Sequence, residues 1–312
     1  MNADQRHPSG PPDPRTGGPA RPAEAVRRTA SRPTPFAALH RTGSPLLLPN
    51  AWDHASAALL AGEGFAAIGT TSLGVAASAG LPDGAGATRE LTVGLARRLA
   101  AGPYLLSVDA EDGFARDPDE VAALARELAA AGAAGVNLED GLGPAEAHAA
   151  KIAAVKAAVP DLFVNARTDT HWLGDGTDER DTLHRLGLYQ QAGADCVFVP
   201  GLTDPTRISA LVKSLDVPLN ILYSPSGPPV AHLADLGVRR VSLGSFLYRR
   251  ALGAVLDAVG DIRAGRPAGG TAPAYDAVQA LSRRSSRHQD LPVGSGGAAR
   301  GAGRTSARRG AT

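Results

Sequence analysis

From residue 46 to residue 263, short apolar runs rich in Val, Ile, Leu and Phe alternate with Ala-rich amphipathic stretches. The runs predict strands over 46–49, 65–71, 104–109, 135–139, 162–167, 196–200, 219–223 and 240–244. The stretches between and after them predict helices over 53–62, 89–101, 118–131, 145–159, 179–192, 205–214, 230–236 and 246–263. Asp117-Pro118 and Asp204-Pro205 each place a capping carboxylate before a proline at the first helical position. Glycines 132, 193 and 237 stop three of the helices just before the next strand. Strand-helix units repeated eight times in roughly 230 residues define the expected fold class: α/β, a (β/α)8 TIM barrel rather than an open doubly wound sheet. No Gly-x-Gly-x-x-Gly fingerprint follows the first strand, which weakens a dinucleotide-binding reading.

Charge divides the chain differently. Residues 1–33 carry six Arg against three acids, and residues 283–312 carry seven Arg against one Asp. Removing both ends from the net charge of +1 leaves about −8 on the body. An acidic body argues against a nucleic-acid partner. The ends, 1–35 and 283–312, read as disordered basic tails, because Gly, Pro, Ser and Arg bury too little surface to order themselves. The barrel domain is expected over 36–282, with a marginal helix over 272–282 placed to pack on a partner subunit. No apolar run approaches the length of about 18 residues that a membrane span requires. The N-terminal stretch has no apolar h-region of a secretory signal. One cysteine, Cys196, excludes an internal disulfide and fits a reducing cytoplasm. Its neighbours Val197, Phe198 and Val199 make it a core residue rather than a nucleophile.

In such a barrel the chemistry lies at the C-terminal ends of the strands. The first end carries Asn50, Trp52 and Asp53; the second carries Thr70, Thr71, Ser72 and Leu73 and a loop containing Asp83. The third, Ser107-Val108-Asp109-Ala110-Glu111-Asp112-Gly113, puts Asp109 and Glu111 at i and i+2, on one side of an extended backbone. Glu139 ends the fourth, Arg167 the fifth. Four carboxylates, Asp83, Asp109, Glu111 and Glu139, around one cavity repel without a cation. An all-oxygen ligand set suits a hard ion, Mg2+ or Mn2+, that keeps several waters. Arg167 either clamps a substrate carboxylate or phosphonate in a forked contact or pairs with Asp169 or Glu139. Thr71, Ser72 and Leu73 can present backbone N–H groups to an anion. Trp52 is expected to wall the pocket, and His171, just past the fifth strand, is a candidate for proton transfer.

These residues resemble the motifs of the isocitrate lyase / phosphoenolpyruvate mutase superfamily. The matching pieces are Asn50-Ala51-Trp52-Asp53, Thr70-Thr71-Ser72-Leu73-Gly74-Val75, Gly80-Leu81-Pro82-Asp83-Gly84, Ser107 through Phe114, Asn137-Leu138-Glu139-Asp140 and Asn165-Ala166-Arg167-Thr168-Asp169. The resemblance implies a cytoplasmic Mg2+-dependent enzyme acting on a small carboxylate related to 2-oxo acids, through a pyruvate-type enolate. It implies Asp109 as the direct metal ligand, with Asp83, Glu111 and Glu139 holding the ion through waters. It implies Trp52, Thr71, Ser72, Leu73 and Arg167 as substrate contacts, Asp109 and Arg167 as catalytic groups, and a homo-oligomer, dimer or tetramer. The chain also departs from the pattern. No Lys-Lys-Cys-Gly-His gate loop is present; the segment after the fourth strand is only Asp140-Gly141-Leu142-Gly143-Pro144. Val199-Pro200-Gly201 stands where mutase-like members have a His, and Glu111 where Asp is usual. The expected activity is therefore carbon–carbon lyase-like, with C–P mutase or hydrolase chemistry, or a non-catalytic metal and carboxylate binder, as alternatives.

Overall fold

A computed structural model describes residues 33–174 and 178–284. The chain divides into Met1–Pro33 and Thr34–Thr312, and the fold described here belongs to the second unit. The expected tails, apart from residues 33–35 and 283–284, lie outside the described residues.

The strands are β1 (Leu46–Leu48), β2 (Asn50–Ala51), β3 (Ala67–Thr70), β4 (Leu105–Asp109), β5 (Ala133–Glu139), β6 (Phe163–Arg167), β7 (Cys196–Val199), β8 (Leu219–Leu222) and β9 (Arg240–Ser242). All pair in parallel. β1 falls within the first expected strand, 46–49, and β2 extends it past Pro49, so that the two are halves of one interrupted strand longer than expected. The lower half pairs with β9 and the upper half with β3, so a single stretch of chain closes the sheet into a barrel. Proline has no N–H to give to a ladder, but its carbonyl still accepts from Gly69 at 2.8 Å.

The helices are α1 (Pro35–Leu39), α2 (His54–Gly62), α3 (Ser72–Ser78), α4 (Arg89–Leu99), α5 (Pro118–Ala130), α6 (Ala145–Ala158), α7 (Glu179–Gln191), α8 (Pro205–Ser214), α9 (Val230–Asp235), α10 (Phe246–Arg263) and α11 (Tyr275–Arg284). Asp117 and Asp204 cap α5 and α8, accepting from the N–H groups of Asp119 and Arg207 at 2.9 Å each. One continuous core lies between strands and helices, built of Val, Leu, Ile and Ala with Tyr189. Strands buried on both faces need apolar residues at consecutive positions, which is why the strand segments read as unbroken apolar runs.

Two helices were not expected. α3 forms where a loop was read, directly after β3. α1 takes Pro35, assigned to the tail, into the folded body. Thr34 caps it, accepting from the Ala37 N–H at 3.3 Å. Phe36 and His40 then plug the N-terminal end of the barrel: His40 stacks on Phe163 at 4.3 Å, and Phe36 meets Phe163 edge-on at 5.1 Å. α11 packs on α2 of its own chain, with buried Leu281 beside His54, rather than being free for a partner as expected. Cys196 is fully buried in the small cluster above the plug, and burial pushes its thiol up to about 12.

Two buried imidazoles make the fold acid-sensitive. Burial, reinforced by the Arg240 charge, pulls His40 down to about 3, and burial pulls His148 down to about 4. Both are neutral in the folded protein, whereas the unfolded chain takes up protons below about pH 6.5. Their stabilising contribution is full above that pH and fades as the pH falls toward the folded values. By linkage, each costs about 2 kcal/mol at pH 5 relative to pH 7.5. Urea midpoints should fall over this range, and His40→Leu should remove part of the fall.

Candidate active site

A cavity of about 560 Å3 opens at the C-terminal ends of the strands. Asp83, Asp109, Glu111, Glu139, Arg167, Thr71, Ser72 and Leu73 all line it. Trp52 does not: its ring packs edge-on against Tyr248 of α10 at 5.3 Å, and its Cβ lies against Gly74. His171 does not line the cavity either. Wall residues that sequence reading did not single out are Trp172 and Leu173, beyond β6, and Arg240 and Arg249. Arg240 carried one legible signal: it stands two residues before Ser242 on one strand, so both face the barrel interior.

Asp109 is the most firmly held group. Its Oδ2 accepts from the Ser72 N–H at 2.9 Å, and its Oδ1 accepts from Asn137 Nδ2 at 3.0 Å. Asn165 Nδ2 in turn donates to Asn137 Oδ1 at 2.8 Å, and Thr70 Oγ1 accepts from the Asp109 N–H at 2.8 Å. β5 and β6 run in register, Asn137 opposite Asn165 and Glu139 opposite Arg167, so an amide ladder lies one layer beneath the ion pair.

Glu111 is placed differently from the expectation. β4 ends at Asp109, and Glu111 takes a left-handed φ of 49° in the turn that follows. It therefore does not extend beside Asp109 from a strand. Its carboxylate is 2% exposed and accepts from the Gly86 N–H at 3.2 Å and from the Thr88 hydroxyl. The strained turn brings it onto the loop that carries Asp83, which sits beside the cavity.

Arg167 realises its pairing alternative on both sides. Nη1 lies 2.6 Å from Glu139 Oε2, and Nε donates to Asp169 Oδ1 at 2.6 Å. Nη1 and Nε thus face protein carboxylates, and no hydrogen bond of Nη2 is seen among the described residues.

Three acids are pushed upward. Burial raises Asp83, Glu111 and Glu139, and the Asp109 charge raises each of them further. Glu139 reaches about 8: burial together with Asp109, Asp169 and Asp83 outweighs the Arg167 guanidinium beside it. Mutual elevation of this kind marks a carboxylate cluster short of positive charge. Among the described residues no three acid, His or Cys groups converge tightly enough to enclose an ion by themselves. An all-oxygen donor set of this kind is chemically compatible with a hard cation that keeps several of its waters.

The geometry defines a class, a parallel (β/α)8 barrel with a carboxylate-lined cavity at the catalytic end. The chain belongs to the phosphoenolpyruvate phosphomutase family, whose profile matches residues 36–263, within the phosphoenolpyruvate mutase / isocitrate lyase superfamily. It is similar to an uncharacterised protein of Mycobacterium tuberculosis, 46% identical over 222 residues that cover 70% of this chain and 84% of the relative. A Burkholderia cenocepacia crystal structure, provisionally assigned as a phosphonomutase, is 38% identical, covers 72% of this chain and 97% of its own, and has a TM-score of 0.68. A phosphonopyruvate hydrolase crystallised with oxalate and Mg2+ is 25% identical, covers 81% of this chain and 95% of its own, and has a TM-score of 0.70. The superfamily holds lyases, mutases and hydrolases, and its members act on carboxylates. Among the described residues no helix is long and apolar enough to cross a membrane.

Proposed function

We propose that the protein is a Mg2+-dependent lyase that makes or breaks a C–C bond in a small carboxylate related to 2-oxo acids, by way of a pyruvate-type enolate. The observation that carries this reading is the meeting of Asp83, Asp109, Glu111 and Glu139 in one cavity, three of them raised by burial and by the charge of the fourth. When bound, Mg2+ supplies positive charge where the enolate oxygen develops, worth several kcal/mol without a proton at that oxygen.

The chain's own groups do the rest. Asn165, Asn137 and the Ser72 N–H hold Asp109 in one orientation. Glu139 and Asp169 hold the Arg167 guanidinium flat against the cavity, leaving Nη2 to meet one carboxylate oxygen. Trp172 and Leu173 add apolar surface to the cavity wall. The lone buried Cys196 suits a reducing compartment, and we place the enzyme in the cytoplasm.

The second reading is C–P bond chemistry, which the likeness to the phosphonopyruvate hydrolase and to the Burkholderia structure favours. Incubation with Mg2+ and, separately, oxaloacetate, 2-methylisocitrate or phosphonopyruvate tests both, with pyruvate as the measured product and, from phosphonopyruvate, its isomer phosphoenolpyruvate as well. Release from either of the first two supports the lyase; release from phosphonopyruvate alone supports the second reading. No release from any of them leaves a metal and carboxylate binder and overturns both.

The enzyme is further proposed to self-associate through α10. None of its 18 residues is buried, and Leu252, Val255, Leu256, Val259 and Ile262 recur at helical spacing along one exposed face. A stripe of that size on a soluble helix marks an interface. Leu256→Glu should shift the sedimentation of the full chain from dimer or tetramer to monomer; an unchanged monomer in both proteins would refute it.

A further inference from the structure

Three guanidinium groups line the cavity, Arg167, Arg240 and the exposed Arg249, and of these Arg240 is buried in surroundings unlike those of Arg167. It lies on β9 with 3% of its surface exposed, and it lines the cavity from below. Register links the two: Arg167 stands opposite Phe198, Phe198 opposite Asn220, and Asn220 opposite Arg240. The same row therefore runs round the barrel from one arginine to the other.

Arg167 is gripped by two carboxylates. Arg240 pairs with none among the described residues. Its hydrogen bond is from Nε to Ser242 Oγ, at 3.0 Å. Its Nη1 is buried without any partner. Burial lowers it only to about 10, so it stays charged at neutral pH. An uncompensated buried charge costs several kcal/mol. Its other neighbours do not offset the charge: Asn220 and the aliphatic Leu46 stand beside it in the row, and His40 of the plug and Cys196, which its charge reaches, are both neutral. Hydrogen bonding of a fixed donor fork to a carboxylate would satisfy both the charge and the idle nitrogen.

We propose that Arg240 is a ligand-binding residue at the floor of the cavity, where it takes the second carboxylate of a dicarboxylate whose other end lies at the acid cluster. The proposal rests on the cluster being the site of chemistry. It makes Arg240 the residue that selects ligand length and charge, while Arg167 positions the groups around it.

The test uses the full chain with Mg2+ and calorimetric titration of malonate, succinate and glutarate, each against its monocarboxylate of equal length: propionate, butyrate and valerate. At least one diacid should bind wild type about tenfold or more tightly than its partner, the value of one charge-assisted hydrogen bond. Arg240→Met should lose that advantage, and Arg240→Lys should keep part of it. Removing an unpaired buried charge should leave the thermal midpoint of the ligand-free protein unchanged or higher. A wild type without a diacid advantage, an advantage that survives Arg240→Met, or midpoints that fall in both variants would each overturn the proposal; the last would make Arg240 a structural residue. Oxalate with Mg2+ on wild type is the separate control. If it fails to bind while a longer diacid does, the reading of the acid cluster fails and with it the place of the diacid's other end, whereas the contact of Arg240 with one carboxylate is judged separately by the Arg240→Met result.

Discussion

Asp109→Ala abolishes Mg2+-dependent turnover, by about a thousandfold or more if the ion lowers the barrier by several kcal/mol. The expectation follows from position. Asp109 is fixed by three hydrogen bonds from β3, α3 and β5, and its charge raises every other acid of the cluster. The same substitution removes the stabilisation that Mg2+ confers. For an ion at a hundred times its Kd that stabilisation is about 2.7 kcal/mol, or about 5–10 °C in a domain of this size. The metal-free protein moves the other way: with one carboxylate gone the remaining acids repel less, so its midpoint should hold or rise. Thermal scans with and without Mg2+ read both effects. Full retention of the Mg2+ shift in Asp109→Ala would remove the assignment of this residue.

Glu139 adds a pH signature to that scan. Its carboxyl is raised to about 8 in the folded protein, chiefly by burial, against an ordinary value of 4.5. An acid whose folded value is raised contributes stability in its protonated form, present below the unfolded value and lost as pH climbs through the folded one. Metal-free protein should therefore lose stability between about pH 5 and 8, opposite in sign to the histidine effect. Glu139→Gln should flatten the loss.

Gly201→Ala is the second large effect. Gly201 follows the seventh strand with a φ of 85°, and a Cβ there would stand 2.2 Å from the His171 carbonyl oxygen. A left-handed alanine costs about 1–2 kcal/mol and a backbone clash adds about 1–3. The variant should be less stable by about 3 kcal/mol, lowering the midpoint by about 6–12 °C. The clash falls on the turn in which the Trp172, Leu173 and Gly174 N–H groups all point to the Asp169 carbonyl. That turn carries two residues of the cavity wall, so oxalate binding should weaken along with stability. A midpoint within 2 °C of wild type would show that the turn yields freely, contrary to this account.

Gly201 illustrates what a sequence leaves unsaid. Pro200-Gly201 read as a strand end without chemistry, because the contact that needs the glycine comes from a residue 30 positions earlier. Glu111 is similar. Its i+2 spacing from Asp109 predicted a shared direction, but the strand ends between them, and Thr88 and Gly86 draw the side chain elsewhere. Trp52 matched the motif in sequence and still turned out against Tyr248, 196 residues further on.

The sequence by itself determined the eight strand-helix units, the helix caps at Asp117 and Asp204, and the end of the barrel where Asp83, Asp109, Glu111, Glu139 and Arg167 collect. Those properties follow from local rules: periodicity sets which face is buried, and strand polarity sets which end a residue occupies. Tertiary structure alone decided the plug formed by Phe36 and His40, the double grip on Arg167 and the unpaired state of Arg240. The plug needs α1 to reach Phe163 across the barrel end, the grip on Arg167 needs Glu139 brought opposite it by the β5–β6 register, and the state of Arg240 depends on every strand that faces it; no local pattern encodes those distances.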